Sequence, residues 1–102
     1  KRGKVVEVDV LNYDKQAGKF SLPGQFDLVF AGPPYRMNLI KATLVMILKS
    51  RVLRENGWVI CQHHFKEKVP KREGFLSLFR KERYGKTVLS FYQMGGTLSN
   101  IG

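Results

Sequence analysis

Valines at positions 5, 6, 8 and 10, with Glu7 and Asp9 set among them, give the chain a β-rich opening that predicts a first strand over 5–9. Residues 12–25 turn polar and glycine-bearing, and Pro23-Gly24 marks a turn. Phe26-Asp27-Leu28-Val29-Phe30-Ala31 follows as a nearly unbroken apolar run, the pattern of a strand covered on both faces. Gly32-Pro33-Pro34 ends it, because proline brings no N–H to a ladder and restricts the residue before it. Met37, Ile40, Leu44 and Ile47 recur at three- and four-residue steps, predicting a helix over 38–55 that Asn56-Gly57 stops in a left-handed turn. Trp58-Val59-Ile60-Cys61 then begins a third strand, so strand, helix and strand form a right-handed crossover with a parallel pair.

Beyond Cys61 the period changes to two. Phe75, Ser77 and Phe79 alternate with Leu76, Leu78 and Arg80, and Val88, Ser90 and Tyr92 alternate with Leu89, Phe91 and Gln93. Separated by Glu82-Arg83-Tyr84-Gly85, these runs predict a carboxyl-terminal antiparallel hairpin. The pattern as a whole is α/β: a mixed sheet with helices on its faces, one domain over 1–94, and a tail over 95–102 with little to pack.

With 102 residues the chain can build one modest core, too small for a complete doubly wound domain plus a substrate domain. Its 43% hydrophobic and 25% charged composition is that of a folded protein. The formal charge of +10 is high for this size and suits a polyanion. The single Cys61 forms no intramolecular disulfide, which reads as a reduced, cytoplasmic setting, and no apolar stretch approaches a bilayer span, so no membrane partner is expected. Cys61-Gln62-His63-His64 does not match structural zinc spacing, so no metal is expected, and Ser90 has no identifiable base or orienting group in the sequence.

The candidate chemistry lies at the end of the apolar strand, where open α/β sheets meet their ligands. Pro33 and Pro34 would hold Tyr35 in a rigid geometry, where it stacks on a planar base or packs on a neighbour. Between His63 and Lys86, the cations Lys66, Lys68, Lys71, Arg72, Arg80, Lys81, Arg83 and Lys86 interleave with Phe65, Phe75, Phe79 and Tyr84. This is either an RNA-facing surface or a solvated basic face with its aromatics turned inward.

Phe26 to Tyr35 resembles the catalytic strand and loop of S-adenosylmethionine-dependent amino-methyltransferases, which read Asp-Pro-Pro-Tyr or Asn-Pro-Pro-Tyr. With Gly57-Trp58-Val59-Ile60 and the run from Lys81 to Tyr92, the chain is similar to the carboxyl half of the bacterial 16S rRNA guanine-N2 methyltransferase family, over roughly residues 4–94. The resemblance implies a partial Rossmann-like methyltransferase fold and methyl transfer to an exocyclic amine. It assigns catalysis to Gly32, Pro33, Pro34 and Tyr35, cofactor contact to Asp9 and Ala31, and nucleic-acid contact to Arg36, Lys66, Lys68, Lys71, Arg72, Lys81, Arg83, Tyr84 and Lys86.

Two departures qualify what the resemblance implies. Gly32 stands where the family has an acid or amide, and no Gly-rich loop precedes the first strand, so transfer by this chain alone is expected to be weak or absent. The implied partners are 16S rRNA or the small-subunit particle, and an amino-terminal half. In the family's strand order, residues 5–9 would sit apart from the strand at 26–31, whose bare edge would favour rearrangement or self-association. A noncatalytic basic RNA-binding or assembly module and a DNA amino-methyltransferase fragment are the competing readings.

Overall fold

The computed structural model describes residues 3–8, 13–14, 19–20, 25–32 and 39–95. Its main sheet has six strands in the order β1-β4-β5-β8-β7-β6: Val5–Val8, Phe26–Ala31, Leu53–His64, Thr87–Met94, Leu76–Tyr84 and Arg72–Glu73. β1, β4 and β5 run parallel, and β8, β7 and β6 continue antiparallel. This is the mixed α/β sheet with a carboxyl-terminal hairpin that the period changes predicted. The polar connector adds a separate antiparallel pair, β2 (Tyr13–Asp14) with β3 (Lys19–Phe20). The tail from residue 96 onward lies outside the described residues.

One expectation is overturned at the edge. The apolar strand β4 is flanked on both sides, with Val5 opposite Leu28 and Val8 opposite Ala31 on β1. A nearly all-apolar strand is satisfied only with a ladder on each edge, and the valine run supplies one. Among the described residues the bare edge therefore belongs to β1, where Val5 is exposed.

A single helix among the described residues, α1 (Ile40–Ser50), packs one face of the sheet. Ile40, Thr43, Leu44 and Ile47 form its buried stripe, and Ile40, Leu44 and Ile47 join Val29, Val59, Cys61, Leu76 and Tyr92 in one core. It is shorter than the hydrophobic spacing predicts. Arg51 adopts a left-handed conformation and donates its amide to the Leu48 carbonyl, ending the helix before Val52 and Leu53 are buried at the start of β5. Among the described residues, no helix is long and apolar enough to cross a membrane.

Asn56-Gly57 therefore does different work from a helix stop. β5 faces β4 with Leu53 opposite Phe26 and then Trp58 opposite Leu28, so residues 54–57 bulge out of the ladder. Asn56 takes the left-handed backbone, at φ 65°. Asp27 spans the bulge, accepting the Lys4 amide at 2.9 Å and the Arg54 guanidinium at 3.1 Å.

The opposite face of the sheet carries Trp58, Phe79 and Phe91, with Trp58 5.0 Å from Phe79 and 6.2 Å from Phe91 between ring centroids. Phe79 sits in a register shift of β7, between Leu78 and Arg80. The hairpin is longer than predicted: β7 continues through the charged residues to Tyr84, and Gly85-Lys86 alone make the turn, with Gly85 at φ 63°.

Candidate nucleic-acid and cofactor site

Parallel pairing aligns the carboxyl ends of three strands. Ala31 lies between Val8 on β1 and Cys61 on β5, so the chain leaves all three strands at one end of the sheet. Ala31 itself is buried in the core, which leaves only its backbone to meet a ligand. Gly32, the next residue, is exposed, and a Cβ built on it would meet nothing within 4 Å among the described residues. Its backbone is not left-handed, so neither space nor conformation requires glycine there. Asp9, Pro33, Pro34, Tyr35 and Arg36 lie outside the described residues.

β5 runs past Cys61 to His64 and then turns. The Lys66 amide donates to His64 Nδ1 at 3.1 Å, and the Phe65 amide donates to the Lys86 carbonyl at 2.9 Å, fastening this turn to the hairpin tip. Lys66, Arg83, Tyr84 and Lys86 are thereby gathered at the same end of the sheet as Gly32, all exposed.

The remaining basic candidates do not join them, which corrects the expectation of one basic surface from His63 to Lys86. Arg72 pairs with Ser77 and the Lys71 carbonyl accepts the Leu78 amide, at the other end of β7. At about 3.3 Å per residue, that end lies roughly 23 Å from Tyr84. Lys81 pairs with Ser90 midway along the hairpin, and Lys68 is exposed on the return loop. Arg80 turns to Glu82 in an ion pair and lies 5.8 Å from the Phe91 ring centroid.

Ser90, for which the sequence offered no base, has one. His63 Nε2 lies 2.7 Å from Ser90 Oγ, and His63 Nδ1 lies 3.0 Å from the His64 carbonyl. The carbonyl only accepts, so Nδ1 carries a proton, and in the neutral imidazole Nε2 then accepts from the serine hydroxyl. The pair resembles an activated serine, yet Ser90 is fully buried and His63 is 2% exposed, so no substrate reaches it. It is a satisfied polar crosslink between β5 and β8. The alternation of Cys61 and His63 along β5 signals that both face inward. Their partner on β8 follows only from the register.

Cys61 is sealed beside this pair, and burial pushes its thiol from 9.0 up to about 12. Burial also raises the Tyr92 phenol, with smaller contributions from Cys61 and Glu73, and its hydroxyl donates to the Pro70 carbonyl at 2.6 Å. Both groups hold their protons more tightly folded than unfolded. Their contribution to stability is complete below pH 9, and falls as pH rises from 9 toward 12, because the unfolded chain then releases protons that the folded chain retains. Chemical denaturation at pH 8, 9.5 and 10.5 should show a progressive loss of stability reaching a few kcal/mol, and Cys61→Ala should flatten the part due to the thiol. In the native protein, Cys61 should react with a thiol reagent only at the rate of unfolding.

The family description Conserved hypothetical protein 95 matches this chain over residues 3–93. The chain is 34% identical over 68 residues to the Bacillus subtilis (strain 168) protein named "Putative rRNA methyltransferase YlbH", a match covering 67% of this chain and 37% of that protein. A solved structure of a conserved hypothetical protein from Streptococcus pyogenes superposes with a TM-score of 0.65 at 32% identity, over 71% of this chain and 45% of that one. A Haemophilus influenzae structure titled "putative methylase HI0767" gives 0.64 at 19% identity, over 78% and 49%, and shares the fold. The chain thus spans less than half the length of these relatives. Because the family match runs from the residues preceding β1 to Gln93, one residue short of the end of β8, the chain belongs to the Conserved hypothetical protein 95 family.

Proposed function

We propose that this chain is the carboxyl-terminal part of an S-adenosylmethionine-dependent methyltransferase that acts in the cytoplasm on the exocyclic N2 amine of guanine in 16S rRNA, free or in the small-subunit particle. The observation that carries the reading is the convergence at one end of the sheet. The strand leading into Gly32-Pro33-Pro34-Tyr35 ends beside a turn that gathers Lys66, Arg83, Tyr84 and Lys86. A conjugated amine is a poor nucleophile and must be oriented, while RNA must be held by its phosphates and a base extruded toward the site. The rRNA named for the Bacillus relative is consistent with that division of labour.

The cofactor is only partly provided for. β1 and β4 end side by side, with Val8 opposite Ala31, and in the sequence Asp9 follows the one and Gly32 the other; the resemblance gives Asp9 to the adenosine and the backbone after β4 to the same ligand. No glycine occurs between Val5 and Ala17 to let a backbone turn approach the rest of the ligand. These residues alone do not fit the whole cofactor. Calorimetric titration of the chain with S-adenosylmethionine should accordingly show no micromolar binding, and clear one-to-one micromolar binding would overturn the half-pocket assignment.

Supplying the amino-terminal segment of a full-length relative should then allow methyl transfer to small-subunit rRNA, with N2-methylguanine as product. The bare Gly32 and the incomplete pocket favour one competing reading, a noncatalytic RNA-binding module. RNA binding without transfer in the complemented protein would establish that reading, and preferential methylation of DNA would overturn the RNA assignment.

A further inference from the structure

Near the tip of the hairpin, Arg83 on β7 is held differently from the arginines that form ion pairs. Arg54 pairs with Asp27 and Arg80 with Glu82. Arg83 has no carboxylate partner among the described residues. Its Nε donates to the Gly85 carbonyl at 2.7 Å, and its guanidinium carbon lies 4.0 Å from the centroid of the Phe65 ring. A hydrogen bond to a carbonyl fixes the side chain without neutralising it. The ring beneath covers one side of the guanidinium, and the exposure of Arg83 leaves the other side to solvent.

Phe65 is itself anchored by its amide to the Lys86 carbonyl, and its ring lies 4.8 Å from that of His64. Lys66 Nζ is 5.9 Å from the same ring, and Tyr84 is 62% exposed nearby on β7. The arrangement is a flat cation, pre-oriented on an aromatic support, with further positive charge at its margin.

We infer that the Arg83–Phe65 stack is a platform for an unpaired nucleobase of single-stranded RNA. The base lies on the outer guanidinium face, and Lys66 and Lys86 meet the adjoining phosphates. The inference rests on the RNA reading above and adds to it a site that takes a base rather than charge alone. Cys61 is level with Ala31, and Phe65 lies four residues further along, roughly 13 Å at strand rise. The platform therefore receives a nucleotide flanking the one presented at Gly32, and acts as a positioning element for it.

Stacking and phosphate attraction separate cleanly by substitution. Arg83→Lys keeps the charge and removes the plane. Phe65→Leu keeps the charge and removes the support. Each variant, checked for native circular dichroism, is titrated against a short single-stranded RNA carrying 2-aminopurine, at several salt concentrations. For Arg83→Lys the expected result is about tenfold weaker binding with loss of 2-aminopurine quenching, and an unchanged slope of log affinity against log salt. Phe65→Leu should move in the same direction by a smaller factor. An Arg83→Lys chain that binds and quenches like the wild type overturns the platform while leaving RNA binding intact. A wild-type chain that binds no RNA at low salt overturns both the platform and the RNA reading.

Discussion

Replacing Gly32 by aspartate is expected to raise single-turnover methyl transfer to guanine by about 10²-fold, the order of effect of restoring one oriented hydrogen-bond acceptor at a transition state. Among the described residues the position can accept the side chain, since a Cβ there meets none of them within 4 Å and the backbone is not left-handed. A carboxylate following β4 would take a hydrogen bond from the reacting amine and fix its lone pair toward the methyl carbon. A mobile water holds that geometry poorly. RNA affinity should hardly move, because one added negative charge is small against a formal +10, and phosphate attraction is spread over many cations. The measurement compares Gly32 and Gly32→Asp in protein complemented with the amino-terminal segment, with RNA binding followed in parallel at fixed salt. No rate gain with intact folding, cofactor binding and RNA binding would remove Gly32 from the catalytic assignment and move weight to the noncatalytic RNA module.

What the sequence made legible was local. The six-residue run of β4, the period-two alternation of β7 and β8, and the glycine at their turn each carry their own signal; the order β4-β5-β8-β7 is what the resemblance implied, because no local pattern chooses β8 over β7 as the neighbour of β5. The place of β1 was not legible, because nothing in a valine run states which strand it will pair with. The pairing is decided by the second apolar edge of β4, a nonlocal demand. The helix end was misread for a different reason. Left-handed residues are marked in sequence by Asn or Gly, and here Arg51 takes that conformation while Asn56 takes it inside a strand. At the site, the place of Gly32 just after β4 was legible from the two prolines that follow it. The support of Arg83 by Phe65 was not, because a turn and a hairpin tip distant in sequence are brought together only by the β5–β8 register.

The misread Asn56-Gly57 pair yields the second large effect, on stability. Gly57→Ala should destabilise the fold by roughly 2–3 kcal/mol, at the upper end of what overpacking costs, because most of what the new methyl meets is backbone. A Cβ at Gly57 would lie 2.8 Å from Leu53 Cδ1, 2.9 Å from the Arg54 carbonyl and 3.0 Å from the Asp27 carbonyl. The leucine tip can rotate away; the two carbonyls belong to the bulge and to β4, and moving them disturbs the register between Leu53 and Trp58. Asn56→Gly, at φ 65°, provides the contrast: it removes a side chain from a left-handed residue, and should leave stability within about 1 kcal/mol of the wild type. Urea unfolding of the three proteins should place the midpoint of Gly57→Ala well below the others with an unchanged m-value, since the same surface is exposed in each case. A Gly57→Ala midpoint equal to that of the wild type would mean that residues 54–57 yield freely. The bulge would then be a passive loop, with no part in setting how β5 meets β4 and therefore where the strand ends converge.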